Sequence, residues 1–157
     1  MSDTPRWLSD EEQELWRRML AAARTVSGSL SHSLQEDSGL SSADYAILVS
    51  LSEAEGGAVR LRDMCTALQW DRSRASHQVT RMQQRGLVSK EPAPGDARGI
   101  LISITEEGQR RITAAAPGHV DTVRRLVFDH LDPDAVPAIE RFLAGVLASD
   151  AHPDARR

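Results

Sequence analysis

The sequence contains a single cysteine, Cys65, which excludes an intrachain disulfide and any zinc site built on several thiolates. One thiol suits a reducing compartment. No stretch reaches the roughly 18 consecutive apolar residues of a membrane span, and the opening MSDTPRWLSDEE has no basic segment followed by an apolar core. A cytoplasmic protein with no membrane partner is the expectation. Aromatic residues make up only 4% of the chain while Ala, Arg and Leu are abundant, a balance that favours helix. Neither an internal repeat nor a low-complexity linker interrupts it, and 157 residues suit one domain, residues 1–157.

Catalytic signatures are missing too. There is no Gly-rich phosphate loop, G-x-S-x-G, H-E-x-x-H or C-x-x-C. The five histidines (His32, His77, His119, His130 and His152) never stand four residues apart, so none makes a ligand pair on one helix face. Asp129, Asp132 and Asp134 read as helix-ending and capping residues rather than metal ligands. The sequence thus predicts no enzyme, no metal and no cofactor.

A net charge of −4 looks unsuited to a nucleic-acid binder until its distribution is followed. Residues 60–98 carry eight basic side chains against four acidic ones, a local +4, which leaves −8 on the remainder. A basic segment on an acidic body focuses positive potential in one place. Counts alone fit scattered surface arginines equally well, so the placement of the charges has to decide.

The chain reads as helix, helix, strand, helix, helix, hairpin and two further helices. Ser9, with Glu12 as its capping-box partner, opens a long amphipathic helix whose apolar positions include Leu15, Met19, Val26, Leu30 and Leu34. A second helix, from Ser41 or Ser42 to about residue 53, has the stripe Tyr45, Leu48, Val49 and Leu51. After the turn Glu55-Gly56-Gly57, residues 58–61 read as a brief strand. The third helix, residues 62–68, turns Leu61, Met64, Cys65 and Leu68 inward, which makes Cys65 buried and inert. Three residues later Asp71 caps a fourth helix that stops at Arg85-Gly86. Two short helices joined this way form a helix-turn-helix. Residues 87–91 and 99–104 then pair as a hairpin, with a five- to seven-residue tip at 92–98 too long for a tight turn. Thr105 caps the next helix, which runs to about residue 130 with a bend expected at Pro117. The last helix spans residues 134–147, capped by Asp134 with Pro137 in its first turn. Residues 150–157 are expected to be disordered.

The fourth helix carries the functional signal. At about 100° per residue, Ala75, Val79 and Met82 share one side and form its buried stripe. The opposite side shows Ser73, Arg74, His77, Thr80, Arg81 and Gln84, flanked by Arg72, Ser76 and Gln78. Its only carboxylate is the cap, Asp71. Donors without acids suit a partner whose phosphates accept hydrogen bonds and repel carboxylates, and whose base edges are read by Arg or Gln. An isolated helix of this composition would equally serve solubility. The preceding three-residue turn and the following Arg-bearing hairpin favour duplex DNA instead. Arg98 suits a narrow minor groove, and Asp96 suits a role in positioning Arg98 or the hairpin.

Residues WDRSRASHQVTRMQQRGLVSKE (70–91), followed by GDARGILISITEEG (95–108), resemble the MarR family of multiple antibiotic resistance regulators, which are winged helix-turn-helix proteins. The resemblance covers nearly the whole chain. It implies a mainly α fold with a small β wing (α+β). The winged helix-turn-helix lobe of residues 58–104 would be flanked by dimerisation helices at residues 9–37 and 106–147. It also implies a homodimer on a pseudo-palindromic operator, often a repressor released by a small aromatic effector bound between the dimerisation helices and the DNA-binding lobe. Trp16, His32, Tyr45 and His119 are the candidate liners of such a site, although each also suits core, interface or surface. Some relatives sense oxidants through a cysteine near the first helix, which this chain lacks. Two alternatives stay open at this point: the same module used for protein or RNA contacts, and an activator of the same fold.

Overall fold

A computed structural model describes residues 5–150 of the chain, which divides into two compact units, the first ending at Thr122 and the second beginning at Val123. The first unit contains α1 (Asp10–Ser38), α2 (Ser42–Ser52), β1 (Ala58–Arg60), α3 (Leu61–Leu68), α4 (Arg72–Gln84), β2 (Val88–Ala93), β3 (Asp96–Ile104) and most of α5 (Glu106–Leu126). The second holds the end of α5, two short 3-10 turns at Phe128–His130 and Pro133–Ala135, and α6 (Val136–Asp150). This is the mainly helical architecture with a small sheet that the sequence predicts. The expected disordered tail lies outside the described residues beyond residue 150.

Local chemistry sets most of the boundaries. The Ser9 hydroxyl accepts from the Glu12 N–H at 3.2 Å while the Glu12 carboxylate accepts from the Ser9 N–H at 2.8 Å, so two orphan donors of α1 are satisfied reciprocally. Asp10, Glu11 and Glu12 place negative charge at the positive helix end. Gly39, left-handed at φ 65°, terminates α1. Ser41 and Asp44 repeat the capping box at the start of α2. Thr105 caps α5 through Gly108 N–H at 3.0 Å, as its position suggests, and donates to the Gly86 carbonyl at 2.6 Å, tying the end of α4 to α5. The α5 helix runs through Pro117 to Leu126 rather than to residue 130. The last helix starts later than expected, at Val136 rather than Asp134, with Pro137 in its first turn as expected; Asp132 caps the 3-10 turn before it, accepting from the Asp134 N–H at 3.0 Å. Pro133, with its φ preset for a first helical residue, follows that cap directly.

Helices α2, α3 and α4 enclose the core with the sheet. Ala75, Val79 and Met82 of α4 are fully buried, as are Met64 of α3 and Leu48 and Leu51 of α2. In α2 the expected stripe is only partly right. Tyr45 and Val49 are half-buried, whereas Ile47 and Asp44 lie fully inside. The reason is that α2 packs against α1, α3, α4, β1 and β3 together, and a helix covered on several sides has no single apolar stripe. Cys65 is half-buried, not enclosed as expected.

The sheet is antiparallel in the order β1-β3-β2. Ile102, fully buried on the central strand, pairs with Val59 on one side and Lys90 on the other. The wing departs from the expected long tip: β2 and β3 continue until Ala93 pairs with Asp96, leaving only Pro94-Gly95 as the turn. Proline presets the first turn residue and Gly95, at φ +75°, supplies the positive φ that the second requires. Pro92, which argues against strand in a sequence reading, is accommodated because β2 is an edge strand with a bulge at Pro92/Ala93.

Candidate nucleic-acid interface

Three residues, Gln69 to Asp71, separate α3 from α4, and left-handed Gln69 at φ 52° makes the turn. Asp71 accepts from the Arg74 N–H at 2.8 Å, fixing the start of α4. Its first turns present Arg72, Ser73, Arg74 and His77 to solvent, with Ser76 and Thr80 half-buried beside them. These six side chains line one open concave surface. The Arg74 guanidinium lies 4.3 Å from the ring centroid of Trp70, a stacking contact that restrains a flexible side chain before any partner arrives. Arg81 is exposed one turn further on. The Thr80 hydroxyl donates to the Ser76 carbonyl at 2.9 Å, so its proton is used within the helix. Gln78 turns away from this surface and donates to Asp44 Oδ1 at 2.7 Å.

The wing brings a second cationic group to the same side. Asp96 accepts from the Arg98 backbone N–H at 3.0 Å and from Arg60 Nη1 at 3.4 Å, while Arg60 Nη2 reaches the Pro94 carbonyl at 3.4 Å. Asp96 therefore braces the hairpin and leaves the Arg98 side chain exposed. A Cβ on Gly99 would stand 2.6 Å from Asp96 Oδ2 and 2.9 Å from Ala93 Cβ, so only glycine fits beside this brace. Between the wing base and the starts of α3 and α4 is a cleft of about 210 Å³ lined by Arg60, Arg62, Arg72 and Arg98, with Asp96 as its one acid. Sequence reasoning singled out Arg72 and Arg98 but missed Arg60 and Arg62. The local charge count over residues 60–98 contained both.

The four candidate effector residues separate into two pairs. Tyr45 and His119 line a cavity of about 460 Å³ with Val26, Leu30 and Leu34 of α1 and Ala46 of α2. Their rings lie 4.3 Å apart and 31° from parallel. His119 Nδ1 is buried without a hydrogen-bond partner among the described residues, and burial holds its pKa below the usual 6.5. Burial, with the Glu53 charge adding to it, raises Tyr45 above 10.0. Both rings are consequently neutral near pH 7. Among the described residues no Arg, Lys, Asp or Glu lines this cavity. Trp16 and His32 are elsewhere: Trp16 is half-exposed on α1, and His32 faces the Glu36 carboxylate at 3.1 Å on the helix surface. Neither of the two lines this cavity. Among the described residues no three metal-binding side chains gather, and no helix is long and apolar enough to cross a membrane.

A helix-turn-helix set between the first strand and the Arg-bearing hairpin of a three-stranded sheet defines the winged helix-turn-helix class. The model of the MarR family matches residues 38–99. A crystal structure of a MarR family transcriptional regulator from Streptomyces coelicolor, in complex with DNA, is 36% identical with a TM-score of 0.90, covering 98% of this chain and 95% of that one. AbsC, a MarR family transcriptional regulator of the same organism, is 39% identical with a TM-score of 0.89 over 92% of this chain and 97% of its own. This chain belongs to the MarR family of transcriptional regulators. CouR from Rhodococcus jostii, bound to p-coumaroyl-CoA, is 27% identical with a TM-score of 0.70, covering 90% of this chain and 95% of its own. A comparison with curated proteins returned no significant match.

Proposed function

We propose that this regulator binds duplex DNA as a homodimer and represses transcription from a pseudo-palindromic operator until a small, largely apolar ligand releases it. The observation that carries the reading is the acid-free outer face of α4 beside the four-arginine cleft at the wing base. Ser73, Arg74 and His77 are assigned to base edges, Arg72, Ser76 and Arg81 to phosphates, and Arg98 to the minor groove; Thr80, its proton used on the Ser76 carbonyl, is left out. Gln78 serves the helix from behind. That a relative was solved in complex with DNA supports the duplex-binding reading.

Dimerisation is supported by apolar faces left open on the terminal helices: Leu15 and Trp16 on α1, and Phe142, Leu143, Val146 and Leu147 on α6, the last 67% exposed. Contiguous apolar surface of this kind marks an interaction site. Ligand release is supported by the Tyr45–His119 cavity, which is roomy, uncharged and holds one unpaired ring nitrogen; CouR, bound to p-coumaroyl-CoA, is a relative with a ligand.

Selection from random duplex DNA with the purified protein tests the reading. Enrichment of two inverted half-sites about 10 bp apart, centre to centre, is expected. No enrichment, or sedimentation as a monomer at micromolar concentration, contradicts it.

A further inference from the structure

We propose that Asp44 is a positioning residue that latches α4 to the cavity-lining helix α2, so that operator affinity depends on the packing of the cavity. The inference rests on the reading of α4 as the DNA-contacting helix. Asp44 is only 1% exposed, and every part of its carboxylate is engaged. Oδ1 accepts from Gln78 Nε2 at 2.7 Å, while Oδ2 accepts from Arg85 Nη1 at 2.7 Å and from the Ser41 N–H at 2.9 Å.

Two of these donors belong to α4 and its cap, seven positions apart on the same helix. A two-point attachment resists both sliding and rotation of α4, where a single bond would act as a pivot. Arg85 extends the latch, donating through Nη2 to the Gly39 carbonyl at 3.0 Å, the residue that ends α1. The other end of the device is the cavity. Ser42, Tyr45 and Ala46 of α2 line it, as do Leu30 and Leu34 of α1, and Asp44 sits among the α2 residues on the side facing α4. A change in cavity packing that shifts the α1–α2 junction therefore shifts the acceptor that holds α4. A buried carboxylate losing its partners is costly, so α4 follows rather than letting go.

Three variants test this on the full chain: Asp44→Asn, the exchange D44N/Q78E, which returns an amide and a carboxylate to the facing positions with charge conserved, and Ala46→Leu, which fills part of the cavity. Affinity is measured for a selected duplex and a random duplex at one salt concentration, with Tm recorded for each protein. Asp44→Asn is expected to weaken selected-duplex binding on the order of 10-fold while leaving random-duplex binding, dominated by exposed arginines, unchanged. The exchange should recover most of the loss. Ala46→Leu should weaken selected-duplex binding in the otherwise native protein and add nothing once Asp44 is Asn. Parallel loss of both affinities with Tm, or independent multiplying effects of Ala46→Leu and Asp44→Asn, would overturn the proposal. A native protein that does not distinguish the two duplexes sinks the DNA reading itself, and the latch with it.

Discussion

The surface formed by α4 and the wing and the Tyr45–His119 cavity are assembled on opposite terms. The surface takes its cations from a compact stretch, residues 60–98, and shows them to solvent around a cleft with one carboxylate. The cavity draws its lining from residues 22–34, 42–46 and 119, far apart in sequence, with no charged side chain among the described residues. Long-range attraction to a polyanion needs charge held at the surface, where it steers encounter. Retention of a small apolar molecule needs the reverse, because a charge buried beside it would be left without solvent. Asp44 is the one buried acid among the described residues, held by Gln78 and Arg85 of α4 and its cap and by the Ser41 N–H at the start of α2.

The contrast can be broken most severely from beneath. Met82→Ala removes a fully buried side chain from the inner face of α4 and should cost about 2–5 kcal/mol by denaturant titration, with DNA binding lost as the helix loosens. Next in size, Arg74→Ala or Arg98→Ala should each weaken selected-duplex binding by about 1–3 kcal/mol with Tm nearly unchanged, since both side chains are exposed. Arg72→Ala separates charge from sequence reading. It should weaken all duplexes alike and reduce the slope of log affinity against log salt by about 1.

The smallest effect belongs to the cavity. Burial lowers the His119 pKa below 6.5, so its neutral form is favoured in the fold. That contribution is full above pH 6.5 and is lost as pH falls through the lower folded value. Urea midpoints measured at pH 7.5 and 5.5 should therefore differ more for the native protein than for His119→Phe. Asp44 works further down the scale. Burial would raise its carboxyl, but hydrogen bonds from Arg85 and Ser41 and the Arg85 charge outweigh this and leave it below 3.8, so its stabilisation fades only in stronger acid.

How much of this was legible in the sequence follows from the same contrast. Capping residues, the α4 stripe and the acid-free face depend on neighbours within a few positions, and Ser9, Asp71, Thr105, Ala75, Val79 and Met82 all stand as the sequence implies. The wing turn was misjudged because Pro92 reads as a breaker until its strand is known to lie at the sheet edge. Gln78 was assigned to the DNA face because no helical period reveals that Asp44, 34 residues earlier, captures it. Of the cavity residues, only Tyr45 and His119 were anticipated; Trp16 and His32 were placed by segment, and their orientation is a tertiary property.

One titration tests the central claim most directly: affinity for a selected duplex and for a random duplex, measured against salt, with the native protein and with Arg74→Ala. The account predicts a steep salt slope on both duplexes, a large preference for the selected one, and a fall of about 1–3 kcal/mol in that preference in Arg74→Ala while random-duplex binding falls only slightly. Equal affinity for the two duplexes, or an unchanged preference in Arg74→Ala, would contradict it.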